Sequence, residues 1–144
     1  MNRAASRRGH GVVLETLEPR LLLSGSVLIT EFVASNDTTL YDGDGASSDW
    51  IELHNPTGDT VNLVGWHMSD DETDLTQWAF PDAGEVDLLL SPGEYLVLAA
   101  SGKGDDPDFI NASGYYVDSS GYLHTSFKLS TNDGDQHESV LLSD

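Results

Sequence analysis

From Val27 onward the chain never holds a strand-like apolar pattern for more than about eight residues before glycine, proline, asparagine or aspartate interrupts it. Val27-Leu28-Ile29-Thr30-Glu31-Phe32-Val33-Ala34 is rich in β-branched and aromatic residues. Asp49-Trp50-Ile51-Glu52-Leu53-His54 alternates, which sets Ile51 and Leu53 on one face and Trp50, Glu52 and His54 on the other. The same criteria predict strands over Thr60 to Leu63, Trp66 to Ser69, Thr76 to Phe80, Val86 to Leu90, Tyr95 to Ala100, Leu123 to Leu129 and Glu138 to Leu142. Turn strings separate them: Asn55-Pro56-Thr57-Gly58-Asp59, Ser69-Asp70-Asp71, Pro81-Asp82-Ala83-Gly84, Ser91-Pro92-Gly93 and Asn132-Asp133-Gly134-Asp135. Strands about ten residues apart, with no sustained helical period, predict an all-β antiparallel sandwich or barrel. Val86 to Leu90 has a helix-compatible composition, but it is short and Ser91-Pro92-Gly93 follows it, so it reads as a strand. Ser101 to Tyr115, with Gly102, Gly104, Asp105, Asp106, Pro107 and Asp108, reads as a long mobile loop.

A length of 144 residues suits one domain, and a hydrophobic fraction of 38% is enough for a core. The charge is more selective. The net charge is −19, and the two signs are separated along the chain. Arg3, Arg7, Arg8 and Arg20 lie in the first twenty residues; from Leu21 onward only Lys103 and Lys128 oppose 23 carboxylates, a net −21. Such a body repels phosphate backbones and anionic lipid, so nucleic acid is excluded as a partner and metal cations or basic partners are favoured. Asp outnumbers Glu 17 to 8, which places the acidity in turns and oxygen-rich loops.

Cysteine is absent, which removes disulfides, thiolate metal sites and a cysteine nucleophile. The longest apolar run, Tyr95 to Ala100, is far short of the ~20 residues that span a bilayer, so no transmembrane segment is predicted. Residues 1–25 form a separate basic leader, and residues 26–144 the folded domain. Val12 to Leu23 is broken by Glu15, Glu18 and Arg20 and is no conventional signal peptide. Its string Leu17-Glu18-Pro19-Arg20-Leu21-Leu22-Leu23-Ser24 resembles the amino-terminal segment of large exported or surface proteins of planctomycete bacteria, which implies an extracellular or cell-surface destination.

Several strings share an order. They are Ile29-Thr30-Glu31-Phe32 with Ala34-Ser35-Asn36, Ser48-Asp49-Trp50-Ile51-Glu52-Leu53-His54-Asn55-Pro56, and Val61-Asn62-Leu63-Val64-Gly65-Trp66-His67-Met68-Ser69-Asp70-Asp71. Trp78-Ala79-Phe80-Pro81, Leu90-Ser91-Pro92-Gly93-Glu94-Tyr95-Leu96-Val97 and Leu123-His124-Thr125-Ser126-Phe127-Lys128-Leu129-Ser130 continue the series. Together they resemble the lamin tail domain of bacterial extracellular proteins, which implies an immunoglobulin-like antiparallel β-sandwich. Trp50 and Trp66 are expected as inter-sheet anchors, and Gly65, Pro92 and Gly93 as positions of special backbone geometry. The resemblance also implies a closing strand after Leu142, where this chain stops at Asp144. The expectation is a fold lacking its last strand, with a sheet edge open to self-association, or a truncated reading frame.

The most site-like cluster is Asn36 and Asp37, then Asp42-Gly43-Asp44-Gly45, then Asp49: oxygen ligands around a flexible loop, as calcium requires. The spacing is not that of an EF-hand, because counting from Asp42 places Ala46 fifth and Leu53 twelfth. Asp70-Asp71-Glu72 and Asp133-Gly134-Asp135 are weaker candidates. Neither His-x-His nor His-Glu-x-x-His occurs, no Gly-x-Ser-x-Gly elbow is present, and Gly102-Lys103-Gly104 lacks a full phosphate loop. Scattered Ser, His and Asp residues do not by themselves nominate a triad.

The sequence therefore predicts a chain that is not an enzyme: an interaction or adhesion module of an exported or cell-surface bacterial protein, with a protein or cell-surface component as partner and calcium as the candidate cofactor. The alternative is an amino-terminal fragment or accessory domain of a larger secreted enzyme, a hydrolase or spore-coat-type kinase.

Overall fold

The computed structural model describes residues 27–82, 84, 86–129 and 139–144. The leader at residues 1–25 and the Asp133-Gly134-Asp135 string lie outside them. Among the described residues there are nine strands and no helix. In chain order they are β1 (Leu28–Val33), β2 (Asp49–His54), β3 (Val61–Asn62), β4 (His67–Ser69), β5 (Trp78–Ala79), β6 (Leu89–Leu90), β7 (Tyr95–Ala100), β8 (Leu123–His124) and β9 (Leu141–Ser143).

The long strands build one sheet in the order β1-β2-β7-β8, antiparallel except for the parallel β7–β8 pair. The short ones pair as β3-β6 and as β5-β4-β9. Alternation assigns the faces of the large sheet. Ile51 pairs with Leu98 and Leu98 with Leu123, so these three lie side by side on one face. There they join a core completed by Leu53 and Ala100 from the same sheet and by Leu63, Met68, Trp78, Phe80, Leu88 and Leu90 from the small sheets and their flanks. One large sheet facing smaller ones across a shared apolar layer is the all-β, immunoglobulin-like sandwich that the strand spacing and the resemblance implied.

The predicted strands are all found near their expected places, but several are shorter. Thr76 to Phe80 contracts to β5 and Leu123 to Leu129 to β8, because the outer residues of each turn to make loop contacts instead. Phe80 donates its amide to the Trp66 carbonyl, and Thr125 donates to Ala99 and accepts from Gly104. Val86 to Leu90 contributes only β6. Trp66 packs half-buried against the core and Trp78 lies inside it. Trp50 is buried too, but it pairs with Ala99, which pairs with His124, and this row lies on the outer face of the large sheet.

The turn after β2 shows why Asn55-Pro56 and Pro92-Gly93 occur where they do. Asn55 is fully buried, and its carboxamide donates to the carbonyls of Asp59 and Leu90, both at 2.8 Å, while its oxygen accepts from the Thr57 amide at 3.0 Å. Its carbonyl accepts from Gly93, whose φ of 78° is the left-handed region that glycine adopts without strain. One side chain thus ties the β2–β3 turn to the β6–β7 turn. Asn55→Ala is expected to cost about 2–4 kcal/mol, because it strands the buried Leu90 carbonyl and removes the part-buried bonds to the Asp59 carbonyl and the Thr57 amide at once. Asn62→Ala, which removes one exposed bond to the Val64 amide, is expected to cost under about 1 kcal/mol. Urea unfolding of the two variants checks the contrast.

Candidate functional site

Two loops meet on the outer face of the large sheet: the segment between β1 and β2, and the segment between β7 and β8. The first is folded on its own polar side chains. Asn36 donates its carboxamide to the carbonyls of Leu40 (2.6 Å) and Ser48 (2.9 Å) and accepts from the Thr39 amide, while the Asp49 carboxylate accepts the Asn36 amide. Asp42 accepts from the amides of Asp44 (3.0 Å) and Ala46 (2.8 Å) and from the Ser48 hydroxyl (2.7 Å). Asp37 is exposed.

The second segment, expected as a long mobile loop, is a chain of hydrogen-bonded turns. Asp106 accepts the Asp108 amide, Asn111 accepts the Ser113 amide, and Asp118 accepts the amides of Ser120 and Tyr122, each at 2.9 Å. The remaining oxygen of Asp118 crosses to the first loop and accepts the Gly43 amide at 2.6 Å; Ser119 donates to the Gly43 carbonyl at 2.7 Å. A Cβ on Gly43 would lie 2.5 Å from the Ser120 nitrogen, so only glycine permits this approach. Gly104 is the counterpart on the other side, where a Cβ would lie 2.2 Å from the His124 carbonyl oxygen.

Beneath the junction sits His124, with no exposed surface. One ring nitrogen, Nε2, is 3.2 Å from Asp118 and the other, Nδ1, is 2.7 Å from the Ser101 hydroxyl. A charged carboxylate only accepts, so the network assigns the proton to Nε2; Nδ1 then accepts from Ser101, whose oxygen accepts the Lys103 amide. Above the ring lies Tyr116, 4.7 Å between centroids. Lys103 closes the junction. Its ammonium pairs with Asp44 and lies 3.6 Å from Asp42, 5.1 Å from the centre of the Phe109 ring and 5.9 Å from that of Tyr116. Tyr116 donates its hydroxyl to Asp44 at 2.6 Å.

The electrostatics follow from these contacts. Burial pushes the Asp118 carboxyl up, but the amides of Gly43, Tyr122 and Ser120 and the His124 ring outweigh it and hold it below its ordinary value. Asp42 behaves likewise, burial being outweighed by Ser48, the Ala46 amide and Lys103. Lys103 and Tyr116 hold Asp44 low, and Asp44 in turn pushes the Tyr116 hydroxyl up to about 12. Burial lowers Lys103 less than Asp44 and Asp42 raise it, so it is firmly charged. His124 moves down: burial exceeds the pull of Asp118.

Of the five residues predicted to bind a cation, the structure gathers Asp42 and Asp44 around Lys103, and uses Asn36 and Asp49 to shape the loop. Ligand atoms of Asp42, Asp44 and His124 lie within 4.8 Å of one another. Of the residues expected to shape the backbone, Gly65 has a φ of 81° and Gly93 one of 78°; Pro92 precedes the latter. Sequence reasoning missed Ser101, Lys103, Tyr116, Asp118 and His124, whose contacts span up to 75 positions.

Ser101, His124 and Asp118 stand in line like a nucleophilic triad, yet the geometry is not that of a serine hydrolase. In serine hydrolases Nε2 faces the serine and Nδ1 the aspartate; here the nitrogens are reversed. Ser101 is 7% exposed. The nearest backbone donors are engaged, Gly102 with Phe127 and Lys103 with Ser101 itself, which leaves neither of them to stabilise an oxyanion.

The neutral, buried imidazole makes stability depend on pH. His124 takes up a proton less readily in the folded state than in the unfolded state, where the value is 6.5. Stability is therefore complete above that value and falls as the pH drops below it, by at most about 1.4 kcal/mol per pH unit. The low carboxylates add their losses only as the pH falls through 3.8 and below. Unfolding free energies between pH 7 and 5 should fall in the native chain and change less in His124→Gln.

No curated protein and no solved structure matches the chain. A family profile, described as Lamin Tail Domain, matches residues 23–144. That span covers every strand of the sandwich and both loops of the junction, and the fold is the immunoglobulin-like one of a non-catalytic family: the chain belongs to the lamin tail domain family.

Proposed function

We propose that this chain is a non-catalytic interaction module that presents a rigid, acidic and aromatic loop platform to a basic protein or cell-surface partner. The observation that carries this reading is the junction itself. Its serine, histidine and carboxylates are engaged in fixing two loops to each other and to the sheet, which favours display over turnover. Around the junction, Asp105 and Asp108 are exposed, as are Tyr41 and Phe109, and a body at −21 attracts cationic partners. An exported or surface-attached setting is part of the same proposal, supported by the Leu17 to Ser24 string. Among the described residues no helix is long and apolar enough to cross a membrane.

Calcium at Asp42 and Asp44 is a second reading, supported by the way these two carboxylates converge on one positive charge, that of Lys103; it requires Lys103 to leave. Binding of the full chain to matched basic, neutral and acidic peptides tests the first reading. Basic peptides alone should bind, and more weakly as salt rises. Binding without charge preference, or Ser101-dependent hydrolysis of ester or peptide substrates, would contradict it. Thermal unfolding in calcium and in chelator tests the second reading: a bound ion raises the midpoint, more so in Lys103→Met, and equal midpoints would contradict it.

A further inference from the structure

The segment between β7 and β8 also walls a recess of about 370 Å³, lined by Phe109, Asn111, Tyr115, Tyr116 and Val117. We infer that this recess is a docking site for a lysine or arginine side chain of a basic peptide. The inference rests on the interaction-module reading above and specifies where the contact is made.

Three features of the recess select a cation. First, its walls are aromatic and fixed. The Phe109 and Tyr116 rings are 5.5 Å apart and tilted by 58°. The Asp106 carbonyl accepts the amides of Phe109 and Ile110, and Asn111 exchanges backbone and side-chain bonds with Tyr115. Little ordering of the walls is then left to oppose binding. Second, the same two rings already lie against an ammonium, that of Lys103, whose own charge is outweighed by Asp42 and Asp44, so their π-systems are placed as cation-binding groups are and the like charge beside them is covered. Third, Asp105, Asp106 and Asp108 immediately precede Phe109, in a body that is strongly negative. An anionic group meets repulsion there. A neutral sugar finds the lining's polar side chains largely taken: the Asn111 oxygen already accepts two amides, the Tyr116 hydroxyl is donated to Asp44, and Tyr115 is buried. A purely aliphatic side chain gains nothing from the carboxylates. Phe109 is 42% exposed, so the recess is reachable from solvent.

Capped Gly-Lys-Gly, Gly-Arg-Gly and Gly-Leu-Gly peptides, titrated into the full chain at low ionic strength and followed through its backbone amide resonances, test the inference. The lysine and arginine peptides should move the amides of Phe109, Asn111 and Val117, and the leucine peptide should not. Phe109→Leu keeps apolar bulk but loses the π-face, and should weaken the cationic peptides about threefold or more. Asp108→Asn, at an exposed carboxylate, should weaken them too, and added salt should do the same in the native chain. Equal shifts from the leucine peptide, or undiminished binding by Phe109→Leu, would overturn the assignment. Cationic peptides that bind only elsewhere, for instance at Asp70 to Asp74, would overturn the recess and leave the interaction module standing. Cationic peptides that bind nowhere would remove both.

Discussion

The loop end of this sandwich depends on one buried carboxylate. Asp118 gathers four donors, the amides of Gly43, Ser120 and Tyr122 and the His124 ring, at 2.6 to 3.2 Å. A carboxylate taken from water is costly unless its lone pairs are filled, and here they are filled from two loops and a strand. The charge therefore orders its surroundings: the loop with Gly43 must come close, the turn at 118–122 must close beneath it, and His124 must keep its proton on Nε2. With that tautomer Ser101 becomes a donor, which frees its oxygen for the Lys103 amide and starts the side chain toward Asp42 and Asp44.

This dependence separates the molecule into two physical regimes. Between the sheets, stability comes from apolar burial, and Asn55 and Gly93 pin the turns beside that layer. On the outer face the Trp50, Ala99 and His124 row is also buried, and there the polar network takes over from apolar packing. A histidine, a serine and several carboxylates engaged in this way give the surface above them a fixed shape.

The sandwich was legible because its signals are local. Strand alternation, Asn-Pro and Pro-Gly turns, and the ordered blocks can each be read from a few neighbouring residues, and nine predicted strands correspond to β1 to β9. The strand lengths were less legible, since whether Thr125 or Phe80 continues a ladder depends on partners far along the chain. The junction was legible only in part. The Asp42-Gly43-Asp44-Gly45 string was read as oxygen ligands for calcium, and in the structure Asp42 and Asp44 lie around the ammonium of Lys103, 59 positions from Asp44. Gly43 and Gly104 held the missing signal: each stands where a second segment passes within contact distance of the backbone. A glycine shows that something comes close, but not what it is, so His124 and Asp118 stayed hidden among other loop and strand residues. Trp50 illustrates the same limit: its alternation was read correctly, but it was expected as an inter-sheet anchor and instead lies in the outer-face row with Ala99 and His124.

Native-state hydrogen exchange of Asp118→Ala tests this dependence most directly. The account predicts that amides on both loops lose protection together: Gly43 and Ala46 in the first, Ser120 and Tyr122 in the second, and Lys103 beside Ser101, while the β2 and β7 amides keep theirs. Loss confined to Ser120 and Tyr122, with Gly43, Ala46 and Lys103 as protected as in the native chain, would show that Asp118 closes only its own turn and would contradict the account.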